Sequence, residues 1–139
     1  NLASLSEALM TMRRVGIDLN TTFEAIRISS GNSFVHETES QVILNGSRNV
    51  NFTMDLVVKD LSLFQAIADR ADVPLEISPL LLKIFEDGQH RYGGREWSTN
   101  IVRRLEDACA DQLLAPGFPA ELVDEELEVV GQEVVAKRS

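Results

Sequence analysis

The chain has 139 residues, of which 44% are hydrophobic and 25% charged, and a formal net charge of −9. That length suits one domain with a substantial core, whereas that charge repels phosphate backbones, so nucleic acid is excluded as a partner. There is no apolar run near the roughly 20 residues of a membrane span, and Cys109 is the lone cysteine, so a soluble cytoplasmic protein is expected.

The sequence reads as helices almost throughout. Leu2, Leu5, Leu9 and Met12 recur at spacings of three and four and predict an amphipathic helix over 1–15, closed by Gly16 in a left-handed position. The periodicity is already running at residue 2, as expected of a helix cut from something longer. Asp18 or Asn20 caps a second helix with Phe23 and Ile26 on its inner face, ending at Ser29-Ser30-Gly31. Ser33 caps a third, to Leu44, and Asn45-Gly46-Ser47 marks a turn.

A fourth helix is predicted over 53–71. Val57, Leu61, Phe64, Ala68 and Ala71 form its inner stripe, and Pro74 prevents continuation. A fifth spans about 78–91 with Leu80, Leu81, Ile84 and Phe85 inward. Gly93-Gly94 separates it from a sixth over 98–110, with Ile101, Val102, Leu105 and Ala108 inward. The expected fold class is all-α, a bundle of about six helices over 1–110.

After Ala110 the pattern changes. Pro116-Gly117-Phe118-Pro119 breaks regular structure, and residues 111–139 carry seven acidic side chains against Lys137 and Arg138. This stretch is expected to be an acidic extension lying on another surface, with Val129-Val130 and Val134-Val135 as short β-prone runs.

Most chemical signatures are missing from the sequence. It holds no GxGxxG or Walker-type loop to cradle a nucleotide phosphate, and no metal site is expected from His36 and His90, which read as helix-surface histidines. Cys109 reads as a small buried hydrophobe. The segment Phe52-Thr-Met-Asp-Leu-Val-Val-Lys-Asp-Leu-Ser-Leu63 is more distinctive. On a helix, Lys59 lies about 20° and Asp60 about 80° around the axis from Phe52, so the three share a side. An Asp55–Lys59 pair at i,i+4 would explain the same residues without a function. Spacing alone leaves both readings open.

This segment resembles the Phe…Lys-Asp-Leu-x-Leu stretch of the 3-hydroxyisobutyrate dehydrogenase, glyoxylate reductase and tartronate semialdehyde reductase branch of the β-hydroxyacid dehydrogenases, relatives of 6-phosphogluconate dehydrogenase. Asn1 to Leu9, Gly16-Ile-Asp18, Ser30-Gly31-Asn32-Ser33, Val73-Pro74-Leu75 and Glu96-Trp97-Ser98 are similar to further motifs of the family, in order, up to about residue 108. The resemblance implies the helical C-terminal domain of an NAD(P)-dependent enzyme, with NAD or NADP as cofactor and a small hydroxyacid or aldehyde as substrate. It also implies a homodimer or higher homo-oligomer. By this likeness Lys59 contacts the cofactor, while Phe52 and Asp60 shape the substrate pocket, with Asn32 and Ser33 as lesser candidates.

The likeness places no catalytic residue in this chain. It puts the general-acid lysine upstream, about three turns before Asn1, and the dinucleotide-binding Rossmann domain earlier still. A helical dimerisation or docking module of the same ancestry, without catalysis, is the alternative.

Overall fold

The structure, a computed structural model, describes residues 1–119. Its helices are α1 (Leu2–Arg14), α2 (Leu19–Arg27), α3 (Phe34–Leu44), α4 (Met54–Arg70), α5 (Ile77–Tyr92) and α6 (Arg103–Cys109), with a 3-10 turn over Ser98–Val102. There is no strand among the described residues, and the fold is all-α as expected. The boundaries follow local chemistry. Gly16 takes a φ of +83°, the Asp18 carboxylate accepts the Thr21 N–H at 2.9 Å, and Ser33 Oγ accepts the His36 N–H at 3.1 Å.

Helices α1, α2 and α3 pack on one another, and α4 and α5 form a hairpin. The core joins Leu2, Leu5 and Leu9 of α1 to Phe23 of α2, Ile43 and Leu44 of α3, Met54 of α4 and Phe85 of α5. Between the two groups lies the 3-10 turn, which touches α1, α3, α4, α5 and α6. All five of its residues are therefore buried.

Expectation and structure differ at this turn. The stretch predicted as one helix from Ser98 begins as a tight 3-10 turn, because an element enclosed on every side cannot keep one wet face. Its polar residues bond inside the fold instead: the Thr99 hydroxyl donates to the distant Arg48 carbonyl, and Asn100 Nδ2 donates to Glu96 Oε2 at 3.1 Å. Further on, Ala108 is exposed and Cys109 half-buried.

His36 is a clearer correction. It is 1% exposed rather than a surface residue. Nε2 lies 2.9 Å from the Phe23 carbonyl oxygen, which can only accept, so that nitrogen carries the proton. Nδ1 then accepts from the Ser40 hydroxyl at 2.9 Å, and the Phe23 ring packs with its centroid 4.6 Å from the imidazole. The imidazole thus staples α2 to α3. His90 does lie exposed, on α5.

The apolar stripe of α4 is also less buried than its periodicity suggests. Val57 and Leu61 pack on the core and Ala68 is buried, yet Phe64 is 52% exposed and Ala71 is exposed too. On α5, Phe85 is buried whereas Leu80 stands exposed. Periodicity identifies an apolar face, not what covers it.

Residues 111–119 run across the domain without regular secondary structure, turning at Pro116-Gly117. Leu113 is fully buried, its N–H donating to Glu106 Oε1 at 2.8 Å, and the same oxygen receives Arg48 Nη2 at 2.7 Å. The Ala115 N–H donates to the Leu44 carbonyl at 2.9 Å, Phe118 meets Phe23 edge-on, and Asn45 Nδ2 donates to the Pro119 carbonyl. The acidic stretch with Val129-Val130 and Val134-Val135 lies outside the described residues.

Candidate functional site

The distinctive segment begins just before α4. Thr53 is extended (φ −88°, ψ 161°) and pairs in an isolated antiparallel bridge with Trp97, so Phe52 precedes the helix rather than riding on it. The helical period therefore does not set the angle between Phe52 and Lys59. The loop between α5 and the 3-10 turn does so instead. The Ser98 N–H donates to the Phe52 carbonyl at 2.8 Å, the Met54 N–H to the Glu96 carbonyl at 2.9 Å, and the Asp55 N–H to the Gly94 carbonyl at 2.9 Å. Three main-chain bonds on four residues clamp the entrance.

Gly94 has a specific use here. A Cβ on it would stand 3.1 Å from Gln89 Nε2 and 3.4 Å from Asp55 Cβ, so the loop lies close against the first turn of α4 and a larger residue there would push the Gln89 side chain aside. In the sequence Gly93-Gly94 reads merely as a separator. Its position beside Glu96-Trp97-Ser98, one of the motifs that carry the resemblance, was the available signal.

The Asp55 carboxylate is held below its ordinary range, first by the Thr53 hydroxyl donating to it and further by the Leu56 N–H and the charge of Arg95. An acidic side chain there also complements the positive end of the helix. Asp55 is thus engaged at the helix start, and Lys59 pairs elsewhere: its Nζ lies 3.1 Å from Asp60 Oδ1. The i,i+4 pair is not formed.

Lys59 and Asp60 have side chains 58% and 56% exposed, and Phe52 is 38% exposed. A surface ion pair of this kind contributes about 0–1 kcal/mol, so the fold does not require either charge. The arrangement offers an ammonium and a carboxylate at solvent with an aromatic ring at the start of the same segment. It can hold oxyanions and hydroxyls.

Asn32 and Ser33 are occupied differently. Asn32 Nδ2 donates to Glu37 Oε1 at 2.7 Å, its Oδ1 accepts from the Ser33 N–H, and Ser33 caps α3. Ser33 lines a cleft of about 240 Å³ with Asn1, Ser4, Gly31 and His36, which includes none of Phe52, Lys59 and Asp60. Among the described residues no group of three or more His, Cys, Asp or Glu side chains is placed to hold a metal, and no helix is long and apolar enough to cross a membrane.

The comparisons with known proteins agree with this all-helical scaffold. Residues 1–105 match the family described as NAD-binding of NADP-dependent 3-hydroxyisobutyrate dehydrogenase. The chain is 35% identical over 104 residues to 2-(hydroxymethyl)glutarate dehydrogenase of Eubacterium barkeri, covering 74% of this chain and 35% of that protein. It is 24% identical over 103 residues to L-threonate dehydrogenase of Escherichia coli strain K12, covering 74% of this chain and 34% of the relative. Among solved structures, a 3-hydroxyisobutyrate dehydrogenase from Salmonella typhimurium superposes with a TM-score of 0.69 at 25% identity, over 74% of this chain and 36% of that one. The chain spans about a third of the length of these relatives. With its motifs, its helices and these likenesses in agreement, the chain belongs to the NAD-binding family of NADP-dependent 3-hydroxyisobutyrate dehydrogenase.

Proposed function

We propose that this chain is the helical domain of an NAD(P)-dependent oxidoreductase. The enzyme moves hydride between a nicotinamide and a small β-hydroxyacid or its carbonyl counterpart, and the domain forms one wall of the active-site cleft. The observation that carries this reading is the Phe52–Asp60 segment. It lies inside the family match, and its Lys59 and Asp60 side chains stand exposed on a helix whose entrance is clamped by three main-chain bonds.

The residues present suit such a cofactor. Lys59 places a full positive charge outside the core, and an ammonium forms charge-assisted hydrogen bonds to ribose or phosphate oxygens. Asp60 orients that ammonium from 3.1 Å and offers its second oxygen to a substrate hydroxyl. Phe52 supplies an apolar edge that keeps water from the reacting carbonyl. The dinucleotide, when bound, supplies the hydride. The proton for the substrate oxygen comes from a lysine outside this chain, and the phosphates are cradled by a Rossmann domain, its partner in the complete protein.

Lys59→Ala in the complete protein is expected to raise the Kd for NADH or NADPH about three- to tenfold, the loss of one charge-assisted bond at a wet site, with the helical circular dichroism unchanged. Unchanged affinity would remove Lys59 from the site.

A second reading, a helical dimerisation or docking module without catalysis, is favoured by the exposed apolar side chains of the α4–α5 hairpin. Leu63, Phe64, Ile67, Ile77 and Leu80 all face solvent there, beside a cleft of about 510 Å³. The two readings differ in the complete sequence. A GxGxxG after a first strand and an upstream lysine belong to the enzyme, and a chain without them to the module. The same surface suits the homo-oligomer that the family resemblance implies.

A further inference from the structure

We infer that Gly88, in the middle of α5, is a positioning residue for the α4 entrance, an inference that rests on the cofactor reading of Lys59 above. Gly88 is buried and lies within a regular helix, where glycine costs roughly 1 kcal/mol relative to alanine, so its presence calls for a steric reason. The reason is close approach. A Cβ on Gly88 would collide with Ile101 Cδ1 and stand 2.9 Å from Met54 Sδ. Both neighbours belong to the machinery that seats α4. Met54 is its first residue and, with Ala68, one of only two buried residues in the helix. Ile101 belongs to the 3-10 turn whose Ser98 N–H holds the Phe52 carbonyl. The Met54 side chain and the turn that clamps Phe52 therefore meet on α5 at the one position without a side chain.

A methyl group added there must displace one neighbour or the other. Met54 is 0% and Ile101 4% exposed, so neither side chain can swing out to solvent, and in a close-packed interior the methyl is accommodated by the entrance moving away from α5. Lys59 follows Met54 by five residues, about 7.5 Å along the axis, and moves with it. Gly88 touches no ligand; it acts through Met54.

The test is titration of the complete protein with NADH and NADPH. Gly88→Ala is expected to raise the cofactor Kd threefold or more. Gly88→Ala combined with Ile101→Val, which removes the colliding Cδ1 and opens space into which the Met54 side chain can yield the few tenths of an ångström its contact needs, is expected to bring it back within twofold of the parent. Leu113→Ala, which loosens the core where the 111–119 segment packs, is expected to leave Kd unchanged, separating positioning from loss of stability. If Gly88→Ala alone does not fold, the double variant decides: recovery of fold and affinity together supports the inference, and recovery of fold without affinity overturns it. Normal affinity in a folded Gly88→Ala, beside weakened affinity in Lys59→Ala, overturns the inference alone. Normal affinity in Lys59→Ala removes the reading on which it rests.

Discussion

Glu39 of α3 is a half-buried carboxyl whose Oε2 is shut off from water without a hydrogen-bond partner. Burial pushes its pKa up to about 7 from the ordinary 4.5. The sign of the consequence follows from proton counting. Between pH 4.5 and 7 the folded state holds a proton that the unfolded chain has released, so this group's contribution is greatest below pH 4.5 and is lost as pH rises through 7. Glu39→Gln keeps the shape and removes the titration. The variant should match the parent near pH 4 and exceed its stability at pH 8 by on the order of 1–2 kcal/mol, read from thermal melts across that range. Equal pH profiles for the two proteins would show that the carboxyl is solvated. Neither Glu39 nor the buried His36–Ser40 pair is legible in the sequence. Both sit among polar neighbours on α3, and burial there is imposed by α2 and the other elements packed around it, not by anything within ten residues.

Among the elements, the irregular segment after α6 shows how a stretch without periodicity can still carry core. Its acidity and its Pro-Gly-Phe-Pro break suggest an appendage, yet Leu113 is fully enclosed and Glu106 holds both Arg48 and the Leu113 N–H. Deleting that side chain leaves a cavity, so Leu113→Ala is expected to cost about 2–4 kcal/mol in denaturant unfolding. A loss below about 0.5 kcal/mol would mean that the segment only rests on the surface. The α4 entrance teaches the complementary lesson. Phe52, Lys59 and Asp60 were recognisable as a motif, but the clamp that orients them comes from residues 94–98, some forty positions later. Pairing between distant main-chain groups leaves no mark on local spacing. Gly88 is similar: a helical glycine is visible in the sequence, and its two contacts are not.

For the whole molecule, the family match ends at residue 105, and the matched stretch covers about a third of each relative. On the proposed reading, the phosphate-binding loop of the cofactor site belongs to another domain, and this chain supplies one wall. Titration of the 139-residue chain alone with NADH and NADPH should accordingly show no binding tighter than about 1 μM, since a single exposed ammonium contributes little by itself. Submicromolar affinity would contradict the division of labour. The sequence by itself determined the first five helices, the cap at Ser33, the all-α class and the family, and narrowed the second cap to Asp18 or Asn20, because these depend on periodicity, capping chemistry and motif order, all local or additive along the chain. Only the tertiary structure decided that residues 94–98 clamp Phe52 and the start of α4, that Lys59 pairs with Asp60, that His36 is a buried staple and that Ser98–Val102 is the hub of the core. Those outcomes depend on which surfaces meet, and for His36 and the 3-10 turn burial converts polar side chains from solvated groups into clamps.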